Sequence, residues 1–502
     1  MASTTSATTV ASYRGSDRLL FGIVFAVITF GLFAQTILNV APTMREELLI
    51  SDTLSNIAVS ITALFTGIFI VVGGGLADRF GRGRITYLGL GLSIAGSLLI
   101  AISPAGTVAF LITGRVIQGL SAACIIPATL ALIKDRFKDK ERQRALSFWS
   151  IGSFGGAGVS ALFGGLVASS LGWRWIFLMS IVVAVISFLL LRGMPESKAA
   201  STENQSFDWY GFAAFVIAMV AVNIVIGQGP ALGWLNPFVI ALAVVFVLAA
   251  VVFFKVESVN PNGFVELRLF NNKTYAGATL SNFLLNSAAG TLLVALSLVQ
   301  QGAGLSSLQS GLLTVGYLVA ILSTIRVGEK LLQRMGARKP MLMGCAITAT
   351  GILLTTFTFL LAGQYMIVAF VGFTLFGVGL GFYATPSIDA ALSNVPNDKA
   401  GAASGIYKMA SSLGAAFGMA VSAALFTSLT GLNTSFATLS DLFLGRIDNT
   451  DIRFAATVAQ LFNVMMVIIA IIAVAMTIPR DDRPIYEGDS GIDPALAKPR
   501  GV

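Results

Sequence analysis

The sequence of 502 residues contains no histidine, and this absence removes the commonest general base and metal ligand of proteins. Catalytic triads that depend on histidine are excluded with it. Cysteine is almost as scarce, because Cys124 and Cys345 are the only two and each lies in an apolar run. Two such thiols cannot form a metal cluster, and we interpret them as small buried side chains. The sequence therefore predicts no metal and no cofactor.

Charged residues are also rare. They make up 11% of the chain, whereas 56% of it is hydrophobic; soluble domains carry roughly 25% charged residues. This composition predicts an integral membrane protein. The Ser/Thr-rich residues 1–17 and the charged, Pro/Gly-rich residues 479–502 are expected to be disordered. The apolar run that begins at Leu19 has no small-residue cleavage site behind it, so we interpret it as a retained span.

Apolar runs of membrane-spanning length follow one another along the chain. Each run is continuously apolar rather than alternating, which is typical of spanning helices and not of barrel strands. Fourteen transmembrane helices are predicted, at residues 18–41, 54–76, 85–104, 107–133, 145–168, 174–193, 208–228, 236–255, 274–300, 308–327, 340–362, 364–389, 402–430 and 454–478. The predicted fold class is all-α.

The distribution of Lys and Arg sets the orientation of these helices, because basic residues collect on the cytoplasmic side. With both termini in the cytoplasm, four of the 32 basic residues lie outside the cell, and these are Arg45, Arg174, Arg446 and Arg453. Arg115 lies within a span, and the rest are cytoplasmic. The net charge of +8 is thus explained by contact with the lipid bilayer. It does not indicate nucleic-acid binding, which would require one basic soluble face.

The chain contains an internal repeat. Residues 127–157 align without a gap on residues 386–416, and "RFGRGR" (79–84) aligns on "RMGARK" (334–339). Loop charges match as well as apolar residues, which a mere similarity of apolar helices does not explain. Two six-helix halves, 18–193 and 273–478, are therefore predicted, with two inserted helices in the segment 194–272. Repeated halves that face each other across a central site are a design of transporters.

A glycine-rich loop joins predicted helices 2 and 3, with the sequence "GGGLADRFGRGR" (73–84). It resembles the loop signature of the major facilitator superfamily, and that resemblance implies the major facilitator fold. In that family the loop acts as a charged latch on the outward-open state. An anchor for the positive-inside rule would explain the arginines but not the spacing of Gly and Asp. The resemblance assigns this gating role to Gly75, Asp78, Arg79, Gly81, Arg82 and Arg84.

Two further stretches resemble signatures of the same family. "LITGRVIQGLSAA" (111–123) is similar to a helix-4 signature of proton-coupled members, and "GSFGGAGVSALFGG" (152–165) is similar to the antiporter signature. Ser160-Ala161 stands where that signature usually has Gly-Pro. Fourteen helices with these signatures resemble the drug:proton antiporter branch, and "ITFGLFAQTILNV" and "ATPSIDAALSNVP" resemble the staphylococcal Nor-type efflux pumps. The resemblance implies a monomeric, multi-pass protein of the bacterial cell membrane that exchanges drugs for protons.

In this family helices 1, 4, 9 and 12 line the central cavity. Amides spaced four apart, such as Asn282 and Asn286, share one face of a helix. They predict cavity lining, although amides within spans can instead join neighbouring helices. The predicted lining residues are Phe33, Gln35, Asn39, Gln118, Trp149, Asn282, Phe283, Asn286 and Tyr383.

The predicted cavity lacks the acid that many relatives carry on helix 1, because Gln35 in "QTILNVA" occupies that position. A cavity without a deep carboxylate favours a carboxylate-bearing or zwitterionic substrate, such as a fluoroquinolone, over a simple cation. Asp389 and Lys408 lie near the cytoplasmic ends of helices 12 and 13, and a buried pair between them is predicted.

Arg115 is costly within a span, and three roles for it stay open. It could couple proton movement by tuning the pKa of a nearby acid, or act as the counter-ion of the substrate, or bind backbone carbonyls. Together with Asp389 and Lys408 it forms the predicted set of central, proton-coupling residues.

Four functions are compatible with these features to different degrees. The favoured one is efflux of amphipathic drugs in exchange for protons. Import or facilitated diffusion of an organic anion is the alternative transport function. A membrane sensor or scaffold would need a soluble output domain, and an embedded enzyme would need a nucleophile and a base that the spans lack. The chain is thus predicted not to be an enzyme.

Overall fold

The computed structural model describes residues 15–198, 208–260, 267–305, 307–430 and 449–480. Within these ranges the regular structure is entirely helical. The helices are α1 (Asp17–Ile28), α2 (Ile37–Leu48), α3 (Asp52–Phe80), α4 (Arg82–Ala101), α5 (Val108–Arg136), α6 (Asp139–Ser150), α7 (Gly156–Ser170), α8 (Arg174–Leu191), α9 (Trp209–Leu232), α10 (Pro237–Val259), α11 (Lys273–Ser287), α12 (Gly290–Ala303), α13 (Ser307–Leu312), α14 (Val315–Met335), α15 (Arg338–Thr355), α16 (Ala362–Ser393), α17 (Ala400–Thr430) and α18 (Thr450–Thr477). The predicted disordered termini lie almost wholly outside the described residues.

Eleven helical segments of the described chain are long and apolar enough to cross a membrane. They coincide with eleven of the predicted spans. The three other predicted runs fall on α6 and α7, on α9, and on α15, which are helical but do not reach the same combination of length and hydropathy. The all-helical membrane class is confirmed, and the number fourteen stays a prediction.

Two of the membrane helices are interrupted by π-helical segments. Thr29–Ala34 lies between α1 and α2, and Ile151–Gly155 lies between α6 and α7. The two segments pack closely on each other. A Cβ atom on Gly31 would lie only 2.6 Å from the carbonyl oxygen of Gly152. π-Helical turns leave the regular α-helical hydrogen-bond pattern and are frequent at functional sites.

The internal repeat is visible in the helix packing. In the N-terminal bundle (α1–α8), α3 and α4 both pack along α5; in the C-terminal bundle (α11–α18), α14 and α15 both pack along α16. Pro127 and Pro386, which the repeat aligns, lie inside α5 and α16. Gly81 and Gly336, which it also aligns, have φ angles of 116° and 75° and end α3 and α14, a conformation that glycine adopts without strain.

The inserted helices α9 and α10 pack on each other, and α9 also contacts α3 and α17. They therefore lie beside the seam between the two bundles. Asp208 begins α9 by accepting a hydrogen bond from the backbone N–H of Gly211 at 2.9 Å. Most of the large side chains of α10 are exposed and apolar, as a lipid-facing helix requires.

The buried core differs between the two sides of the membrane. Near the cytoplasmic side one cluster unites both bundles, with Ile70 and Leu130 from the first and Ile388 and Ile406 from the second. Near the external side the described residues form two separate clusters. One lies within the N-terminal bundle and the other within the C-terminal bundle. The two bundles thus share one core at the side that the basic residues predict to be cytoplasmic and have separate cores at the other side.

Candidate functional site

The cytoplasmic side is closed by Asp78, at the end of α3. Its two carboxylate oxygens accept hydrogen bonds from the backbone N–H groups of Gly401 and Ala402, each at 3.0 Å. These N–H groups begin α17 in the other bundle, so the carboxylate caps that helix and complements the positive end of its dipole. Arg82 Nη2 lies 3.2 Å from Asp78 Oδ1 and holds the carboxylate in place. We call these four residues the α3–α17 cap.

Arg82 extends the closure further. Its guanidinium, which is 2% exposed, donates to the backbone carbonyl of Asn397 in the other bundle and lies 3.6 Å from Asp135. Lys134 donates in the same way to the carbonyl of Val395. Both basic side chains therefore bind the segment between α16 and α17, and both cross from the N-terminal to the C-terminal bundle.

The other residues of the predicted gating loop have separate positions. Arg79 lies over the Phe80 ring, at 5.6 Å from its centroid, and the side chain of Arg84 is 75% exposed and 3.9 Å from Glu196. Glu196 caps α4 by accepting from the N–H groups of Gly83 and Arg84. A side chain on Gly75 would meet no atom within 4 Å. The close helix approach occurs instead one residue earlier, at Gly74, which the sequence analysis did not single out.

Asp389 does not pair with Lys408, which corrects the sequence prediction. The Asp389 carboxylate lies 3.1 Å from Arg142 Nη2 and accepts a hydrogen bond from Gln143 Nε2 at 3.3 Å. Arg142 and Gln143 belong to α6 of the N-terminal bundle. The rotation of α16 directs Asp389 toward α6 rather than toward α17. The carboxylate therefore forms an ion pair that joins the two bundles at a second point.

Lys408 is buried against aromatic rings instead. Its Nζ lies 4.5 Å from the centroid of the Phe154 ring and 5.3 Å from that of Trp149. Only 7% of the residue is exposed. Trp149 is itself fully buried and donates from Nε1 to Thr129 Oγ1 at 3.0 Å. Cation–π contact therefore replaces the predicted ion pair.

Arg115 binds backbone carbonyls of two neighbouring helices. Its Nε donates to Ala58 and its Nη1 to Ala34, each at 2.9 Å, and Nη2 lies 3.4 Å from the carbonyl of Val59. Ala34 ends the first π-helical segment, where backbone carbonyls need partners from elsewhere. Gln118 accepts from Arg115 Nη1 at 2.8 Å and donates to Ser97 at 3.1 Å. This geometry favours the carbonyl-binding role among the three that the sequence left open.

A cavity with about 570 Å³ of space, counting its solvent-open part, lies mainly in the C-terminal bundle. The lining residues are Phe154, Asn282, Leu285, Asn286, Ala289, Leu292, Tyr317, Ile321, Phe376, Leu380, Tyr383, Ala384 and Tyr407. All of these side chains are uncharged, and seven of them carry aromatic rings or amides that can recognise a planar polar compound.

Three predicted cavity residues line this space: Asn282, Asn286 and Tyr383. Asn282 Nδ2 donates to the carbonyl of Tyr407, and Tyr383 forms a 2.6 Å hydrogen bond with Ser281. Asn286 Nδ2 donates back to Asn282, at 2.7 Å to its backbone carbonyl oxygen and at 2.9 Å to its side-chain Oδ1. The amide pair is thus both a helix contact and part of the lining.

The other predicted lining residues lie elsewhere. Phe33 contacts Phe163 in the external core of the N-terminal bundle, and Phe283 packs against Phe417. Gln118 belongs to the Arg115 network, and Gln35 is half-buried after the π-helical segment. The side chain of Asn39 lies outside the described part of the structure.

Sequence reasoning missed four aromatic lining residues: Phe154, Tyr317, Phe376 and Tyr407. Tyr317 and Phe376 stack with ring centroids 5.4 Å apart at an angle of 26°. Two of them could have been found from the sequence, because Phe154 lies within the glycine-rich stretch 152–165 and Tyr407 directly precedes Lys408. Within the described residues no group of three or more Cys, Asp or Glu side chains could hold a metal ion.

Comparisons with known proteins agree with this architecture. A family model described as Major Facilitator Superfamily matches residues 21–419. The quinolone resistance protein NorB of Staphylococcus aureus strain MRSA252 is 46% identical over 471 residues, which are 94% of this chain and 98% of that protein. The solved proton:xylose symporter XylE is similar in fold, with a TM-score of 0.62 at 16% identity over 92% of this chain and 96% of the other. The human organic anion transporter MFSD10 has a TM-score of 0.58 at 15% identity over 92% of this chain and 100% of the other.

Proposed function

Because the chain belongs to the major facilitator superfamily and is a membrane transporter rather than an enzyme, we propose that it exports amphipathic drugs, zwitterionic fluoroquinolones among them, in exchange for protons. It is a multi-pass protein of the bacterial cell membrane. We propose further that residues 18–193 and 273–478 are its two moving domains, that residues 194–272 form an insertion, and that the protein acts as a monomer.

The observation that carries the proposal is the chemistry of the cavity. Its described lining combines stacked rings, Tyr317 and Phe376, with the amides of Asn282 and Asn286, and contains no charged side chain. Planar aromatic compounds with carbonyl groups fit such a surface, because the rings offer stacking area and the amides and hydroxyls offer hydrogen bonds. The 46% identity with a protein named for quinolone resistance supports the same substrate class.

Export requires an energy source, which in this proposal is the proton gradient across the membrane. Residues 111–123, which resemble a signature of proton-coupled members, lie on α5. Residues 152–165, which resemble the antiporter signature, span the second π-helical segment and the first part of α7. Asp389 and Lys408 are buried titratable groups at the seam between the bundles, where the structure must open and close. A change in the protonation of either group would alter the contacts that hold the cytoplasmic side together.

The test is norfloxacin accumulation in cells that produce the full chain and in cells that carry an empty vector, with and without a protonophore. We expect low accumulation that rises when the gradient collapses. Asn286→Leu should weaken export about two- to tenfold, since one neutral hydrogen bond contributes about 0.5–1.5 kcal/mol. Asn223→Leu on the inserted helix α9 is the matched control, because Asn223 likewise bonds to the carbonyl four residues earlier but does not line the cavity. Accumulation equal to that of empty-vector cells would refute quinolone export.

A further inference from the structure

Lys408 is a buried basic residue with no anionic partner among the described residues. Its Nζ forms no hydrogen bond or ion pair within the described part of the chain and contacts only the rings of Trp149 and Phe154. Removal of an ammonium group from water is costly, and two rings offset only part of that cost. A cation in this situation is a ready partner for an anion that enters from elsewhere.

The buried acids on the helices around Lys408 are already bound. Asp389 is bound by Arg142 and Gln143. Asp78 is bound by the other members of the α3–α17 cap. Glu329 on α14 accepts hydrogen bonds from Arg326 and from Gln333. None of these carboxylates can neutralise Lys408 without loss of its own contacts, so the anion has to come from a ligand.

Phe154 separates Lys408 from the cavity. One side of its ring contacts the ammonium, and the residue also lines the cavity, where it is the single contribution of the N-terminal bundle to the described lining. Phe154 belongs to the second π-helical segment and is followed by Gly155 and Gly156. π-Helical segments of this kind are frequent at functional sites.

We propose that Lys408 is the counter-ion for a carboxylate on the substrate, and that Phe154 covers the ammonium until such a substrate enters. The inference rests on the proposed function and names the charged contact that the neutral cavity otherwise lacks. The ligand is a planar aromatic carboxylate: its rings stack on Tyr317 and Phe376, and its carboxylate displaces the Phe154 ring and binds Lys408. Arg115 is not this group, because its guanidinium is bound to backbone carbonyls within the N-terminal bundle.

The test compares norfloxacin with its methyl ester, which replaces the carboxylate by a neutral group one methyl larger, by equilibrium dialysis against the purified full-length protein. The ratio of the two Kd values measures recognition of the carboxylate, and the binding capacity measures the folded fraction separately. We expect the wild type to prefer the acid about tenfold or more, as a charge-assisted hydrogen bond implies. Lys408→Gln should reduce the ratio to about one by loss of affinity for the acid, and Lys408→Arg should keep most of it.

Two further variants complete the design. Lys330→Gln removes an exposed lysine of α14 and should leave the ratio unchanged. Phe154→Ala should keep or increase the preference for the acid, because it uncovers the ammonium. An acid preference that survives in Lys408→Gln overturns the inference, and so does a preference lost in Phe154→Ala alone.

The outcomes also separate this inference from the proposed function. Equal binding of acid and ester by the wild type refutes the counter-ion and leaves quinolone transport intact. Absence of binding for both ligands refutes the quinolone substrate class and the counter-ion together.

Discussion

Lys408 and Trp149 occupy equivalent positions in the internal repeat and contact each other across the seam between the bundles, with 5.3 Å between the ammonium nitrogen and the ring centroid. Each lies 22 residues after the repeated proline, Pro386 or Pro127, in the aligned sequences. Equivalent positions meet where the two halves are related by their pseudo-symmetry. The halves have diverged there into a cation and a ring, so the symmetric fold carries an asymmetric centre.

This centre lies next to the cavity on one side and the closed cytoplasmic ends on the other. Tyr407 precedes Lys408 and lines the cavity, while Gly401, at the start of the same helix, is bound by Asp78. A rigid α17 therefore links the occupancy of the cavity to the state of the closure. Such a link is what alternating access requires of a transporter.

The first prediction concerns adjacent glycines on α3. A Cβ atom on Gly74 would lie 2.2 Å from the carbonyl oxygen of Gly401, whereas one on Gly75 would meet nothing within 4 Å. Gly74→Ala should force the cytoplasmic ends of α3 and α17 apart and strongly reduce transport. Gly75→Ala should be tolerated and stabilise the helix by about 0.5–1 kcal/mol. Drug accumulation and thermal unfolding of both variants provide the measurement; equal transport by the two would contradict the packing.

A second prediction concerns Arg115. Arg115→Ala removes the guanidinium donor from the carbonyls of Ala34 and Ala58, and a hydrogen bond to a charged group contributes about 1.5–3 kcal/mol. We expect a clear fall in the unfolding temperature of the purified protein, together with loss of transport. Arg84→Ala is the control for the unfolding temperature alone, since the Arg84 side chain is 75% exposed. If Arg115→Ala unfolds at the wild-type temperature yet no longer transports, a direct role in coupling or binding replaces the structural one.

The third prediction separates two pairings of Asp389. In a double-mutant cycle on stability, Asp389→Asn and Arg142→Gln should be coupled by about 0.5–3 kcal/mol, because their charged groups are 3.1 Å apart. Asp389→Asn and Lys408→Gln should be additive within about 0.5 kcal/mol. Unfolding in the same detergent gives both cycles. Strong coupling of Asp389 to Lys408 would restore the pair that the sequence predicts.

Much of the architecture is a local property of the sequence. Long apolar runs must form helices in a membrane, because every backbone group needs a partner within its own segment, and the positions of basic residues indicate which ends are cytoplasmic. The repeat likewise identified Gly81 and Gly336 as equivalent loop positions, and both have the positive φ that ends a helix. The family could be recognised from the glycine-rich loop for the same reason.

The partners of individual side chains were decided by tertiary structure. Arg115, Asp389 and Lys408 were recognised from the sequence as costly charges, yet Arg115 binds carbonyls on other helices, Asp389 binds α6, and Lys408 binds rings. The sequence shows which charged residues lie within apolar runs and therefore need a partner that offsets the cost of their burial. The rotation and tilt of helices far apart in the chain determine which group supplies it, and these depend on the packing of all helices together rather than on any single segment.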